Sequence, residues 1–321
     1  MVANNSTVSS SISRSHCVPW IAVLAIECLA IVVLNGFATI IFAKRRELRN
    51  QRTFLPIRNL AIADLLAGGI SGALQIERAG GEYCKMWMYD QSNTPLNNVK
   101  FAFVHLFSMA SLANLAAISL ERMYATMRPF QHLTIGKRVY VAIIVAVWIT
   151  AVTREIAQLV FHEVQATVDS SEAILLNLIL YVPYYFISLF IVCISYIIIF
   201  IKVRWRVHPN PANNSVYRRE RKLTITLFIV TLVSLLTLSP AIIFLTVDAI
   251  HNGIFANFPF IPVFHLRMVA LFFFLANSIA NPIIYSLRMQ SFREGFKEIF
   301  GRTQGQQSTI TFFLRSLSRR T

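Results

Sequence analysis

Seven apolar runs, each long enough to cross a lipid bilayer as a helix, constrain this chain more than any other feature. A hydrocarbon core of roughly 30 Å needs about 20 apolar residues per helical crossing. Such runs lie near 19–43, 54–76, 98–124, 139–160, 174–201, 223–249 and 262–287. Of the 321 residues, 55% are hydrophobic and only 14% charged, an apolar surplus larger than a soluble core of this size needs. The expected fold class is therefore an all-α membrane protein, a seven-transmembrane helix bundle.

The formal net charge is +15, which raises nucleic acid as a partner until the charge is located. It sits in alternate connections. Lys44, Arg45, Arg46, Arg49 and Arg52 follow the first run, and Arg128, Lys137 and Arg138 follow the third. Lys202, Arg204, Arg206, Arg218, Arg219, Arg221 and Lys222 separate the fifth from the sixth, and more follow from Arg288 to Arg320. The connection His162 to Ala173 carries acids and no Lys or Arg. The positive-inside rule makes the basic connections cytoplasmic. The chain then reads as a multi-pass plasma-membrane protein with its N-terminus extracellular and its C-terminus cytoplasmic. The charge marks topology and attraction to anionic membrane lipid, and nucleic acid is not expected as a partner.

Four parts follow: an extracellular N-terminus over 1–18, the membrane domain over 19–287, a short helix over 288–301 and a cytoplasmic tail over 302–321. The first part is polar and Ser-rich, so no cleavable signal sequence is expected and the first span is expected to direct insertion. Asn4 and Asn5 open two overlapping glycosylation sequons on the expected outer side, although a third, Asn213-Asn214-Ser215, falls on the expected inner side. Cys17 and Cys84 both fall on the oxidising side, either paired as a disulfide or left as two free thiols; Cys28 and Cys193 lie within apolar runs. In the short helix, Phe292, Phe296, Ile299 and Phe300 recur at helical spacing with Arg293, Lys297 and Glu298 between them, which describes an amphipathic eighth helix on the cytoplasmic face.

Polar residues inside lipid-spanning helices are costly, about 2.5–3.5 kcal/mol for a central Asp on insertion scales, so each needs partners. Asp64 is the clearest case, and Asn35, Ser111, Asn277 and Asn281 are its candidate partners, forming either a packing cluster or a hydrated cation site. Pro240 removes a hydrogen bond within the sixth run and bends it, giving its inner end a hinge.

These residues resemble the rhodopsin-like, or class A, G-protein-coupled receptors, and the resemblance spans all seven runs. It is carried by Asn35-Gly36, by the Leu-Ala-x-Ala-Asp run ending at Asp64, by Glu121-Arg122-Met123, by Trp148, and by Asn281-Pro282-Ile283-Ile284-Tyr285. The resemblance implies a receptor that binds an extracellular ligand and activates a heterotrimeric G protein by outward movement of the sixth helix, with arrestin as a further partner. It also implies an allosteric sodium ion held by Asp64, Ser111, Asn277 and Asn281 in the inactive state, and an inactive-state ion pair between Arg122 and Glu220. Tyr196 and Tyr285 are expected to approach Arg122 from the fifth and seventh helices.

The chain departs from the family pattern in places. The usual Cys-Trp-x-Pro reads Thr237-Leu238-Ser239-Pro240, so the aromatic switch is replaced by Leu238. Pro183 and Tyr196 stand further apart than the family's Pro and Tyr, and Tyr196 is taken as the match. The usual disulfide to the second outer loop is missing, since Asn97 stands at one end and the loop has no Cys; this is similar to the melanocortin, cannabinoid and adenosine-related group. Residues 262–287 contain no Lys for a retinal Schiff base, and Val104 stands where amine receptors carry Asp. Lys100, Val104, Arg154, Asp248 and Arg267, near the outer mouth, are the candidate ligand contacts.

The competing class is an ion-coupled transporter or channel using the Asp64 cluster, but the runs show no duplicated halves and Arg122 and Glu220 would have no role in it. No metal-binding His set, nucleophile elbow or phosphate loop points to an enzyme.

Overall fold

The computed structural model describes residues 12–89, 95–165, 170–205, 214–250, 255, 258–289 and 292–298; the side chains of Glu220 and Asp248 lie outside the described residues, as do Asn4 and Asn5. All regular structure among them is helical. Seven long helices follow one another: α1 (Arg14–Lys44), α2 (Arg52–Tyr83), α3 (Pro95–Met127), α4 (Lys137–Gln165), α5 (Ser170–Trp205), α6 (Asn214–Ile250) and α7 (Phe260–Arg288). Six of the seven have a long enough apolar window to cross a membrane, and α6 contributes the apolar stretch Thr231–Phe244. A further short helix, α8, covers 292–298. Short helices Arg46–Asn50 and Pro129–Thr134 cap the inner connections.

α3 occupies the middle, packing against α2, α4, α5 and α6, while α1 closes the ring between α2 and α7. Outward faces carry large apolar residues such as Ile26, Leu29, Phe190, Phe200 and Leu236, all exposed. Exposed aliphatic and aromatic side chains in such numbers suit a lipid boundary rather than water. Inward faces hold the polar residues: Asn35, Asp64, Ser111, Asn114, Ser278 and Asn281 are all buried.

α1 begins at Arg14, ahead of the apolar run that starts near 19, because Ser13 caps its first turn and Cys17 anchors it. The Ser13 hydroxyl accepts from the Ser15 N–H. Cys17 is joined to Cys84 by a disulfide that closes a separation of 67 residues, tying the outer end of α1 to that of α2. Cys17→Ser is expected to lower stability by about 2–4 kcal/mol, read as a shift in the denaturation midpoint of the purified chain. Non-reducing peptide mapping should return the linked pair; two alkylated cysteines would contradict it.

α2 is irregular in a way the sequence explains. Two wide π turns, Ala67–Ser71 and Ala79–Tyr83, both open on Ala-Gly-Gly. The glycines permit close approach: a Cβ at Gly68 would lie 2.5 Å from Ile31 Cγ2 of α1, and one at Gly80 would lie 2.1 Å from the Trp87 ring.

Four helices carry internal prolines, Pro19 in α1, Pro183 in α5, Pro240 in α6 and Pro282 in α7, and at the last two the orphaned carbonyl finds a substitute donor. Pro240 cannot donate to Leu236 O, and the Ser239 hydroxyl does so at 3.0 Å. Pro282 cannot donate to Ser278 O, and Asn35 Nδ2 of α1 does so at 2.9 Å. Neither carbonyl is thus left without a donor.

Candidate functional site

Asp64 sits on α2, fully buried at the centre of the bundle. Its Oδ1 accepts from Ser111 Oγ of α3 at 2.7 Å and from Ser278 Oγ of α7 at 2.8 Å, and its Oδ2 accepts from Asn281 Nδ2 at 2.6 Å. One carboxylate therefore joins three helices. Two sequence-derived partners are placed differently. Asn35 does not bond to Asp64 but donates to the carbonyls of Ile31 and Ser278, and the buried Asn277 makes no hydrogen bond to Asp64 among the described residues. Ser278 stands in its place; nothing in spacing alone distinguished it from its neighbour.

The amide oxygens of Asn35, Asn277 and Asn281 are buried without a hydrogen-bond donor among the described residues. A carboxylate with two hydroxyls bonded to it, and donor-free buried amide oxygens on α1 and α7, are the kind of ligands a hard cation prefers. The residues fit the sodium ion implied by the sequence, with Asp64, Ser111, Ser278, Asn277 and Asn281 as its available oxygens.

Further inward, Asn59 Nδ2 donates to Asn114 Oδ1 at 2.8 Å and Trp148 Nε1 donates to Asn59 Oδ1 at 3.1 Å, fixing α2, α3 and α4 together. Leu238 fills the interior below Pro240, buried against Met109, Ala110, Tyr185 and Ile242. An aliphatic packing contact replaces the aromatic ring usual at this place.

At the inner end of α3, Arg122 is 1% exposed and Glu121 is its partner, through Nε and through a second contact of 2.6 Å. Glu121 Oε1 also lies 2.7 Å from His132 Nε2 and accepts from Tyr140 Oη at 3.0 Å. His132 and Tyr140 come from the second inner connection and from α4, and sequence reasoning missed both; lone His and Tyr residues near a basic stretch give no spacing signal. The partner expected for Arg122, Glu220, has its side chain outside the described residues. Tyr196 on α5 accepts from Thr231 Oγ1 of α6 at 3.3 Å and packs edge-on against Phe228. Tyr285 is wholly buried against Phe42 and Phe292, its hydroxyl without a hydrogen-bond partner among the described residues. Arg45 pairs with Glu294 and Glu298 of α8, both at 3.0 Å, fastening that helix beneath α1.

The outer end holds the candidate ligand contacts. Lys100 pairs with Glu77 at 2.7 Å. Arg154 pairs with its neighbour Glu155, and both are buried. Val104 is buried on α3. Arg267 on α7 donates to Tyr83 Oη and lies over the Tyr83 and Phe244 rings, 5.1 and 5.7 Å from their centroids. Asp248 has its side chain outside the described residues. Arg78, Glu77 and Glu82 on α2 were not singled out from the sequence, although Arg78 and Glu82 stand at the i, i+4 spacing of a helical pair and meet at 2.5 Å.

This arrangement is a seven-helix membrane bundle with a buried polar cluster at its centre. Residues 34–285 match the family described as 7 transmembrane receptor (rhodopsin family), so the chain belongs to that family of G-protein-coupled receptors, which are receptors and not enzymes. The chain is 25% identical to the histamine H2 receptor of Homo sapiens over 94% of its own length and 84% of that protein's. It is also similar to melanocortin receptor 5 of Mus musculus, 26% identical over 64% of this chain and 60% of the relative, and to the substance-K receptor of Homo sapiens, 23% identical over 85% and 70%.

Proposed function

We propose that this receptor sits in the plasma membrane with its N-terminus outside and its C-terminus inside, binds a ligand at the outer mouth, and activates a heterotrimeric G protein by outward movement of the inner end of α6. Pro240 supplies the hinge, since the backbone bond missing there is replaced by a side-chain bond from Ser239 that is easily remade. The observation that carries the reading is the inner end of α3. Arg122 is buried and held by its own neighbour Glu121, and on α7 the buried Tyr285 hydroxyl has no described partner. A buried ion pair and an unsatisfied buried donor in the same bundle suit an element with two accessible arrangements.

A sodium ion on the Asp64 oxygens favours the inactive arrangement, because an ion shared by α2, α3 and α7 holds them together. Arrestin engages the same opened inner face, and anionic lipid lies against the basic inner connections and α8. Glycosylation at Asn4 or Asn5 belongs to the outer end. Histamine does not carry over from the relative of that name: Val104 offers an amine no carboxylate.

Glu220 is assigned as a second, outer restraint on Arg122. At a wet membrane edge such a pair is worth only about 1 kcal/mol, so Glu220→Ala is expected to raise ligand-independent nucleotide exchange by about fivefold at equal surface expression. Unchanged basal exchange would remove Glu220 from the restraint.

A further inference from the structure

The outer mouth holds three cations on α2, α3 and α7, and two of them are already matched. Lys100 pairs with Glu77 and Arg78 with Glu82. Arg267 has no carboxylate within ion-pair distance among the described residues; its contacts are the Tyr83 hydroxyl and the faces of two aromatic rings. Asp248, one turn beyond Phe244 on α6, has its side chain outside the described residues. Aromatic faces offset only part of the cost of a partly buried guanidinium, typically 0.5–2 kcal/mol. The guanidinium remains a planar fork of donors suited to a carboxylate.

Its surroundings are apolar. Phe244 stacks on Phe255 with ring centroids 4.7 Å apart and planes 5° from parallel, Phe258 adjoins Phe255, and Tyr83 meets Phe264 edge-on. A guanidinium with no carboxylate partner among the described residues, set in an aromatic wall, selects for one negative charge on an apolar body. Glu77 and Glu82 on the same end of α2 disfavour a dianion.

We propose that the ligand of this receptor is an amphiphilic monocarboxylate, its carboxylate held bidentately by Arg267 and its apolar part lying against Phe244 and Phe255. The inference rests on the receptor reading for its placement at the outer mouth, but its chemistry is tested separately. Full-length receptor in nanodiscs is titrated with octanoate, oleate and 6-phenylhexanoate, and with methyl oleate, oleylamine and oleyl phosphate, subtracting empty nanodiscs. At least one of the acids should bind saturably, and the best of them at least about tenfold more tightly than its methyl ester. Arg267→Gln should remove that difference, and Arg267→Lys, which keeps the charge but not the fork, should retain part of it.

Acid and ester binding alike to the wild-type chain overturns the proposal without reliance on any variant. So does tighter binding of oleyl phosphate than oleate, or no acid binding at all. Nucleotide exchange on a G protein is followed in parallel. Acid binding without exchange would count against the receptor function and leave the carboxylate site standing; exchange evoked by a non-acidic ligand, with no acid bound, would do the reverse.

Discussion

Replacing Asp64 with alanine is expected to destabilise the folded receptor by roughly 2–5 kcal/mol and to abolish any response to sodium. The change strands three buried donors, Ser111 Oγ, Ser278 Oγ and Asn281 Nδ2, all of which point at this carboxylate. Each unsatisfied donor costs about 1–3 kcal/mol, while relief of the carboxylate's own desolvation offsets part of the sum. Loss of the donors' partner wins, because all three bonds that tie α3 and α7 to α2 here go at once. Asp64→Asn separates the two roles: it keeps an acceptor for the donors and removes the charge. That variant should fold with a smaller loss but show no stabilisation on exchanging choline chloride for sodium chloride. A retained sodium-dependent rise in its denaturation midpoint would contradict the ion site.

Glu121→Gln is expected to raise basal nucleotide exchange by about tenfold, more than Glu220→Ala. The comparison follows from burial. Arg122 and Glu121 have side chains 1% and 7% exposed, so their attraction is little screened by water. An amide there still accepts a hydrogen bond but has no charge, and His132 and Tyr140 lose the same partner. A tenfold shift corresponds to about 1.4 kcal/mol, within the range of a charge-assisted hydrogen bond weakened to a neutral one. Equal surface expression with unchanged basal exchange would show that this pair does not restrain activation.

Much of this arrangement was legible in the sequence, and the missing parts have physical causes. The apolar runs and the alternation of basic connections gave the seven helices and their expected sidedness, because lipid imposes length and charge rules that water does not. Asp64 announced itself through its cost in lipid, and Ser111 and Asn281 followed as partners. Ser278 did not, since a serine next to an asparagine on a helix cannot be assigned to a face without knowing how α7 is rotated. The same limit applies to Asn35, whose bond to Ser278 O depends on a carbonyl freed by Pro282 in a helix far along the chain. Proline positions were readable as bends, but the donors that stabilise them were not. The start of α1 at Arg14 depends on a cap and a cross-link rather than on apolarity, so hydropathy placed it late. His132 and Tyr140 reach Glu121 only through the fold of an inner connection. At the outer mouth, charges were readable as a group, while their pairing, which leaves Arg267 among rings, required the packing of α2, α3, α6 and α7.

The central claim is that this bundle uses its Asp64 and Arg122 centres to switch a G protein rather than to move an ion. Full-length receptor and its Glu121→Gln variant in sealed vesicles, supplied with heterotrimeric G protein and a sodium gradient, test it in one sample. The expected result is nucleotide exchange that rises in the variant and falls as sodium is added, with no sodium flux above that of empty vesicles. Sodium flux that depends on Asp64, without nucleotide exchange in either form, would contradict the account and assign the same residues to transport.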